Sequence, residues 1–179
     1  MVVLVIADDE CLLNELPVQP ADVLVSCGDV SDSIILKAAE RCGARRVLAV
    51  KGNHDTASVF PPPIENLHLN VVEVDGFTFG GFRGAWRYKP RGYHLFDQSD
   101  VELALIDFPA VDIFVGHNSP AGIHDRDDDD VHFGFRAFNR YIEVKKPRLL
   151  LHGHQHVNAE SQLNGTGVIG VYGHRFITL

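Results

Sequence analysis

Five short apolar runs punctuate the chain, at residues 2–6, 22–26, 46–50, 111–115 and 148–152. Each is rich in Val, Ile and Leu without polar alternation, the pattern of strands buried on both faces. Stretches of helical spacing lie between them. Ser31 or Ser33 is placed to cap a helix through Cys42, and residues 97–107 and 133–145 repeat apolar positions at helical intervals. In the last of these, Phe135, Phe138, Tyr141 and Ile142 fall on one face. Other segments alternate and carry turn dipeptides: Asp75-Gly76 divides 71–74 from 77–80, and Asn164-Gly165 divides 158–163 from 166–171. A βαβ-wound first half with antiparallel additions after it predicts an α/β sandwich. Two mixed β-sheets would pack face to face with flanking helices, in a single domain over residues 1–179.

The residues just beyond each apolar run carry the chemistry. The runs end in Asp8-Asp9-Glu10, Gly28-Asp29-Val30-Ser31-Asp32, Gly52-Asn53-His54-Asp55, Gly116-His117-Asn118 and Gly153-His154-Gln155-His156. Carboxylate, amide and imidazole delivered repeatedly to one sheet edge build a metal centre, since that edge is where open α/β sheets bind ligands. Hard oxygen and borderline nitrogen without thiolate suit Mn, Fe or Zn better than a structural zinc site. Asp, Asn and Gly are also ordinary turn residues, but the histidines are not turn formers. One carboxylate can offer an oxygen to each of two cations, and Asp29 is the natural bridging group of a two-metal site.

Composition narrows the setting. The 16 basic and 24 acidic residues give a net charge of −8, which argues against tight binding along long nucleic acid. Cys11, Cys27 and Cys42 form no CxxC pair and read as small buried fillers in a reducing compartment. The chain opens into Val2–Ile6 with no basic segment and has no run of transmembrane length, so a cytoplasmic protein is expected.

The five clusters resemble, in order, the DxH, GDxxD, GNH(D/E), GH and GHxH motifs of the calcineurin-like metallophosphoesterase family. The surrounding text, including Gly80–Tyr88 and Pro120–Phe135, is most similar to a prokaryotic branch of it. The resemblance implies a first metal held by Asp8, Asp29 and His156, and a second held by Asp29, Asn53, His117 and His154. It implies two divalent ions, Mn preferred and Fe, Zn or Mg as alternatives. His54 would protonate the leaving oxygen and Asp55 would orient its ring. The chain departs from the pattern at Glu10, which stands where the family carries the first-motif histidine. Glu10 either ligates the first metal, favouring Mn or Mg, or stays outside the ligand set and leaves that metal weak or absent. Asp32 is expected either to cap the helix or to support a ligand histidine.

Three further segments call for a reading. Residues 82–96 form a basic, aromatic stretch in an acidic chain, and Arg83, Trp86, Arg87 and Tyr88 are read as a substrate lip. His124–Arg126, Asp127–Asp130 and His132 are read as a solvated acidic loop, with a third metal site as the alternative. Gly165–Gly170 matches GxGxxG but adjoins a hairpin turn, so it is rejected as a dinucleotide fingerprint. The expected activity is hydrolysis of a small phosphodiester or phosphomonoester, the diester slightly favoured and a nucleotide among the candidates. Attack would be in line, by a metal-bridging hydroxide. The competing expectation is a non-catalytic or one-metal scaffold or binding protein that keeps the fold.

Overall fold

The computed structural model describes residues 1–126 and 129–179. In chain order its strands are β1 (Val2–Ala7), β2 (Val23–Ser26), β3 (Arg46–Ala49), β4 (Ile64–Asn66), β5 (Val71–Val74) and β6 (Phe77–Phe82). Next come β7 (Ala85–Trp86), β8 (Leu95–Phe96), β9 (Ile113–Gly116), β10 (Leu149–His152), β11 (Ala159–Leu163), β12 (Thr166–Gly170) and β13 (Gly173–Thr178). The helices are α1 (Asp32–Cys42), α2 (Gln98–Ile106) and α3 (Arg136–Lys145). One sheet has the order β13-β1-β2-β3-β4, the other β11-β12-β10-β9-β6-β5, and β7 and β8 form a small pair. Strands β1 to β4 are parallel, as are β6, β9, β10 and β12, and antiparallel β13, β5 and β11 occupy three of the four edges, β4 the fourth.

The apolar runs face two ways because successive side chains leave a strand on opposite sides. Val3, Val5, Val23, Val25 and Leu48 meet Phe79, Ile113, Val115 and Leu151 between the sheets. The alternate positions Leu4, Ile6, Leu24 and Val47 pack outward on Ile35, Ala38 and Cys42 of α1. Phe82, Phe114 and Leu150 do the same against Val101 of α2 and Phe138, Tyr141 and Ile142 of α3. Burying each such side chain contributes about 1.5–3 kcal/mol, so strands covered on both faces anchor the site rigidly. The expected sandwich of two mixed sheets with flanking helices is therefore the fold.

Local chemistry sets the element ends. Helix α1 begins after extended Ser31 and stops at Gly43, whose φ of 69° closes the left-handed cap. Asp97 and Asp100 form a capping box at the start of α2. Both turn dipeptides join antiparallel strands, with positive φ at Asp75-Gly76 and at Asn164-Gly165. Gly165–Gly170 lies in that second turn and in β12, with no helix after it.

Strands β4 and β13 and the β7–β8 pair were not anticipated. They are short or half-buried edge elements, held by backbone pairing more than by an apolar pattern. A short 3-10 turn at Leu12–Asn14 follows the first strand-end cluster. Among the described residues no helix is long and apolar enough to cross a membrane.

Candidate metal centre

The two sheets bring their strand ends to one edge in matched pairs. The His154 N–H donates to Asp8 Oδ2 at 2.7 Å, joining the ends of β1 and β10. His117, after β9, donates through Nδ1 to the Cys27 carbonyl after β2 at 2.8 Å. The Gly84 N–H donates to the Lys51 carbonyl at 2.8 Å, joining the ends of β6 and β3. Asp8, Asp29, His154 and His156 all have φ between 51° and 64°, a left-handed conformation costly for residues with a Cβ. Clustering of such strain at one edge marks a site that the surrounding fold holds in place. Close packing makes glycine necessary beside it: a Cβ on Gly153 would stand 2.5 Å from Asp8 Oδ2, and one on Gly52 would overlap Asp29 Oδ1.

At the centre, Asp8, Asp29 and His117 offer ligand atoms that all lie within 4.8 Å of one another. Their side chains are 1%, 8% and 0% exposed, so charge there is poorly solvated. Burial, reinforced by neighbouring Asp29 and opposed by His117, pushes the Asp8 carboxyl up to about 7. Burial opposes ionisation of Asp29 too, but the charge and hydrogen bond of His117 outweigh it and hold that carboxyl below its usual range. Burial likewise disfavours charge on His117. The Asp29 charge and hydrogen bond win, and the imidazole is raised to about 9. Asp8 Oδ1 is buried and, among the described residues, accepts no hydrogen bond. An orphaned carboxylate oxygen beside a second carboxylate and an imidazole is a natural seat for a divalent cation, so the residues fit a metal.

The remaining expected ligands surround this trio unevenly. Asn53 is buried, with Oδ1 2.9 Å from His117 Nε2. His154 is buried and donates through Nε2 to the Val131 carbonyl at 3.1 Å, leaving Nδ1 as its free lone pair. Its ring lies 5.0 Å from that of His117, and burial lowers its basicity to about 3. His156 is 54% exposed, with Nε2 3.9 Å from Asp8 Oδ1. Glu10 stands apart. Its two oxygens accept from the Ser31 N–H at 2.7 Å and the Ser31 hydroxyl at 3.0 Å, which holds the carboxylate over the start of α1. The left-handed turn at Asp8 points its neighbour two residues on toward a helix end, with each Glu10 oxygen still holding a free lone pair.

His54 is exposed on the loop after β3, and its N–H donates to Asp29 Oδ1 at 2.8 Å. Asp55 differs from expectation. Its Oδ2 accepts from the N–H groups of Gly52 at 2.7 Å and Asp29 at 3.0 Å, so it ties two strand ends together rather than gripping the His54 ring. Asp32 receives Lys51 Nζ at 2.7 Å, an ion pair whose lysine is 7% exposed. It therefore joins α1 to the end of β3 rather than supporting a histidine.

The basic, aromatic stretch divides in the same way. The Tyr88 hydroxyl accepts from Asn53 Nδ2 at 3.2 Å, at the centre itself. Trp86 packs edge-on to Phe133 at 6.0 Å. Arg87 is paired with Asp97 at 3.1 Å, whereas Arg83 lies 5.9 Å from the Phe96 ring with its Nε buried and unpartnered among the described residues.

In the acidic loop, Asp127 and Asp128 lie outside the described residues, but the rest is not simply solvated. His124 bridges His152 and Ser161 at 2.9 Å each, and Asp129 accepts from His132 at 2.6 Å. Sequence reasoning passed over Lys51 and Gln155. A lysine directly after a buried strand was the available signal for the first. Gln155 offered none, because its bonds to Asn118, Ser119 and the His132 carbonyl exist only in the folded chain.

Comparison with known proteins gives the family and the fold. The model of the calcineurin-like phosphoesterase family matches residues 6–158. No curated protein sequence matches significantly. Among solved structures, TT1561 of Thermus thermophilus is similar with a TM-score of 0.66 at 16% identity, over 94% of this chain and 88% of that one. The phosphopantetheinyl hydrolase PptH from Mycobacterium tuberculosis gives 0.59 at 12% identity, covering 95% and 89%. Vps29 complexed with zinc from Entamoeba histolytica gives 0.51 at 17%, covering 95% and 73%. These identities speak for a common fold alone. The family match spans all five strand-end clusters, and the chain belongs to the calcineurin-like phosphoesterase family.

Proposed function

We propose that this protein is a dinuclear metal-dependent phosphoesterase acting on a small phosphorylated substrate, a nucleotide among the candidates. The observation that carries the reading is the buried Asp8–Asp29–His117 cluster with its unpartnered Asp8 oxygen. Asp8, Asp29 and His156 would hold one divalent ion, and Asn53, His117 and His154 would hold the other with Asp29 shared. Bound there, Mn, Fe, Zn or Mg polarises a phosphoryl group and makes water a competent nucleophile near neutral pH.

The chain's own residues do the rest. Cys27 and Val131 carbonyls fix the rings of His117 and His154, as backbone acceptors commonly do for ligand imidazoles. Asp29 Oδ1 holds the backbone of His54, which keeps an exposed imidazole at the rim to give a proton to the departing oxygen. Tyr88 reaches the centre through Asn53, and Arg83 supplies cationic charge from the same stretch. The net charge of −8 favours small esters over long nucleic acid, and the lack of a large inserted cap between the strand-end clusters slightly favours diesters. Free cysteines fit a cytoplasmic setting.

The test is metal content by mass spectrometry on protein purified without chelator, with Mn-dependent hydrolysis of bis-p-nitrophenyl and p-nitrophenyl phosphate. Near two metals per chain with turnover is expected. Metal binding without turnover on either ester after Mn reconstitution would sink the enzymatic reading. It would favour a binding protein, for which the diversion of Glu10 toward Ser31 is the one specific sign.

A further inference from the structure

The structure assigns His132 as an additional ligand of the metal held by Asp8 and His156, an imidazole in the place that Glu10 vacates. This rests on the metal-dependent reading above. Both Glu10 oxygens accept from Ser31 and face the start of α1, while Asp8 Oδ1 is buried without a partner among the described residues. The first metal would then have only Asp8, Asp29 and His156 from the strand ends, a thin set for a four-to-six-coordinate ion.

His132 has the features of a ligand imidazole. Its ring centroid lies 5.1 Å from His154 and 6.0 Å from His156. Two rings bound to one cation through bonds of about 2.1 Å have centroids roughly 5–6 Å apart, a spacing that the His132–His156 pair meets, while His154, held by the neighbouring ion in the reading above, flanks His132 on the other side. Nδ1 of His132 is 2.6 Å from Asp129 Oδ2, and an ionised carboxylate can only accept, so Nε2 is left with the free lone pair. A carboxylate behind an imidazole is the usual arrangement at metal sites, where it fixes the tautomer and strengthens the ligand.

The loop is anchored to the last motif. The Val131 carbonyl accepts from the His154 ring, and the His132 carbonyl accepts from Gln155 Nε2 at 3.0 Å. Asp129 Oδ1 also takes the Val131 N–H at 2.7 Å, so the carboxylate is held from both sides. A merely solvated loop needs none of these contacts.

The experiment titrates Mn²⁺ into metal-free wild type, His132→Ala, Glu10→Gln and Asp129→Asn, monitored by calorimetry and electron paramagnetic resonance. His132→Ala is expected to bind one Mn²⁺ at least about tenfold more weakly, and Asp129→Asn about 10–100-fold more weakly. Glu10→Gln should keep wild-type affinities. In the Co²⁺-loaded protein, a paramagnetically shifted imidazole N–H signal should vanish with His132→Ala and move with Asp129→Asn. If His132→Ala does not fold, Asp129→Asn decides alone, because it keeps the imidazole. Wild-type Mn²⁺ affinity in both loop variants, or loss of metal in Glu10→Gln instead, would overturn the assignment while leaving the phosphoesterase reading intact. Failure of wild type to bind Mn²⁺ would bring down both.

Discussion

Asp8 accepts the His154 N–H on one carboxylate oxygen and leaves the other buried and bare, so a single side chain both joins the two sheets and supplies an unused ligand atom. The first oxygen serves structure, and the second is a cost in the metal-free protein. Because burial raises the Asp8 carboxyl to about 7, the native state prefers it protonated, and ionisation above that pH works against folding. Asp8→Asn keeps an acceptor for His154 and removes the buried charge. It should stabilise the metal-free protein above pH 7 by about 2–4 kcal/mol while abolishing its metal-dependent stabilisation. Thermal melts with and without Mn²⁺ at pH 8 read both effects, and a lower metal-free melting temperature would contradict the account.

Metal uptake should release protons. His117 is raised to about 9 and Asp8 to about 7, so a divalent ion must displace the His117 proton below pH 9 and the Asp8 proton as well below pH 7. Affinity should therefore fall about tenfold per pH unit between 9 and 7, and more steeply below 7. Calorimetry in buffers of different ionisation enthalpy counts the protons directly. A count near zero at pH 6 would contradict the mechanism.

His54 is exposed and bound to Asp29 only through its backbone, so its ring is free for proton transfer. His54→Ala should retain both metals yet lose about 10²–10⁴-fold in kcat on esters with poor leaving groups. On bis-p-nitrophenyl phosphate, whose leaving group needs little protonation, the loss should be smaller. Equal losses on both substrates would remove His54 from that role.

The two arginines of the basic stretch should behave differently. Arg83 keeps an unpartnered buried Nε, whereas Arg87 is paired with Asp97 at the start of α2. Arg83→Ala should raise KM about tenfold, the scale of one charge-assisted hydrogen bond. Arg87→Ala should leave KM within about twofold and cost under about 1 kcal/mol of stability, as an exposed pair does. Similar KM changes in both variants would contradict this division.

His68 offers a check away from the metal. Burial, aided by the Arg83 charge, lowers its imidazole to about 4, and its Nδ1 accepts the Arg83 N–H at 3.3 Å. The neutral ring is the native form, so its contribution is complete above about 6.5 and is lost as pH falls toward 4. His68→Gln, which keeps an acceptor, should flatten that part of the stability profile by on the order of 2 kcal/mol, allowing for partial exposure. Parallel profiles for variant and wild type between pH 6.5 and 4 would refute it.

Much of this was legible in the sequence for a simple reason. Unbroken apolar runs announce strands buried on two faces, and residues fixed to a strand's end inherit its rigidity. Asp8, Asp29, Asn53, His117 and His154 could be placed at one edge on that basis. Direction was not legible. Asp8 and Glu10 are two residues apart, but the left-handed turn at Asp8 sends Glu10 to Ser31. Asp55 adjoins His54 yet bonds the backbone of Asp29, twenty-six positions away. His132 stands beside His154 and His156 through a loop whose carbonyls are gripped by His154 and Gln155, contacts with no trace in local pattern.

The paired strand ends have a mechanical consequence. Half of the centre rides on β1, β2 and β3 and half on β9 and β10, with interleaved side chains such as Val25, Val115 and Leu151 resisting shear between the two layers. A slip of about 1 Å between layers would take the donors out of register, since productive geometry tolerates about half that. A bound ion would act as a rivet at one rim of a laminate. The aliphatic filling far below it would then be under the same selective demand as the ligands, because both set the alignment of the two halves.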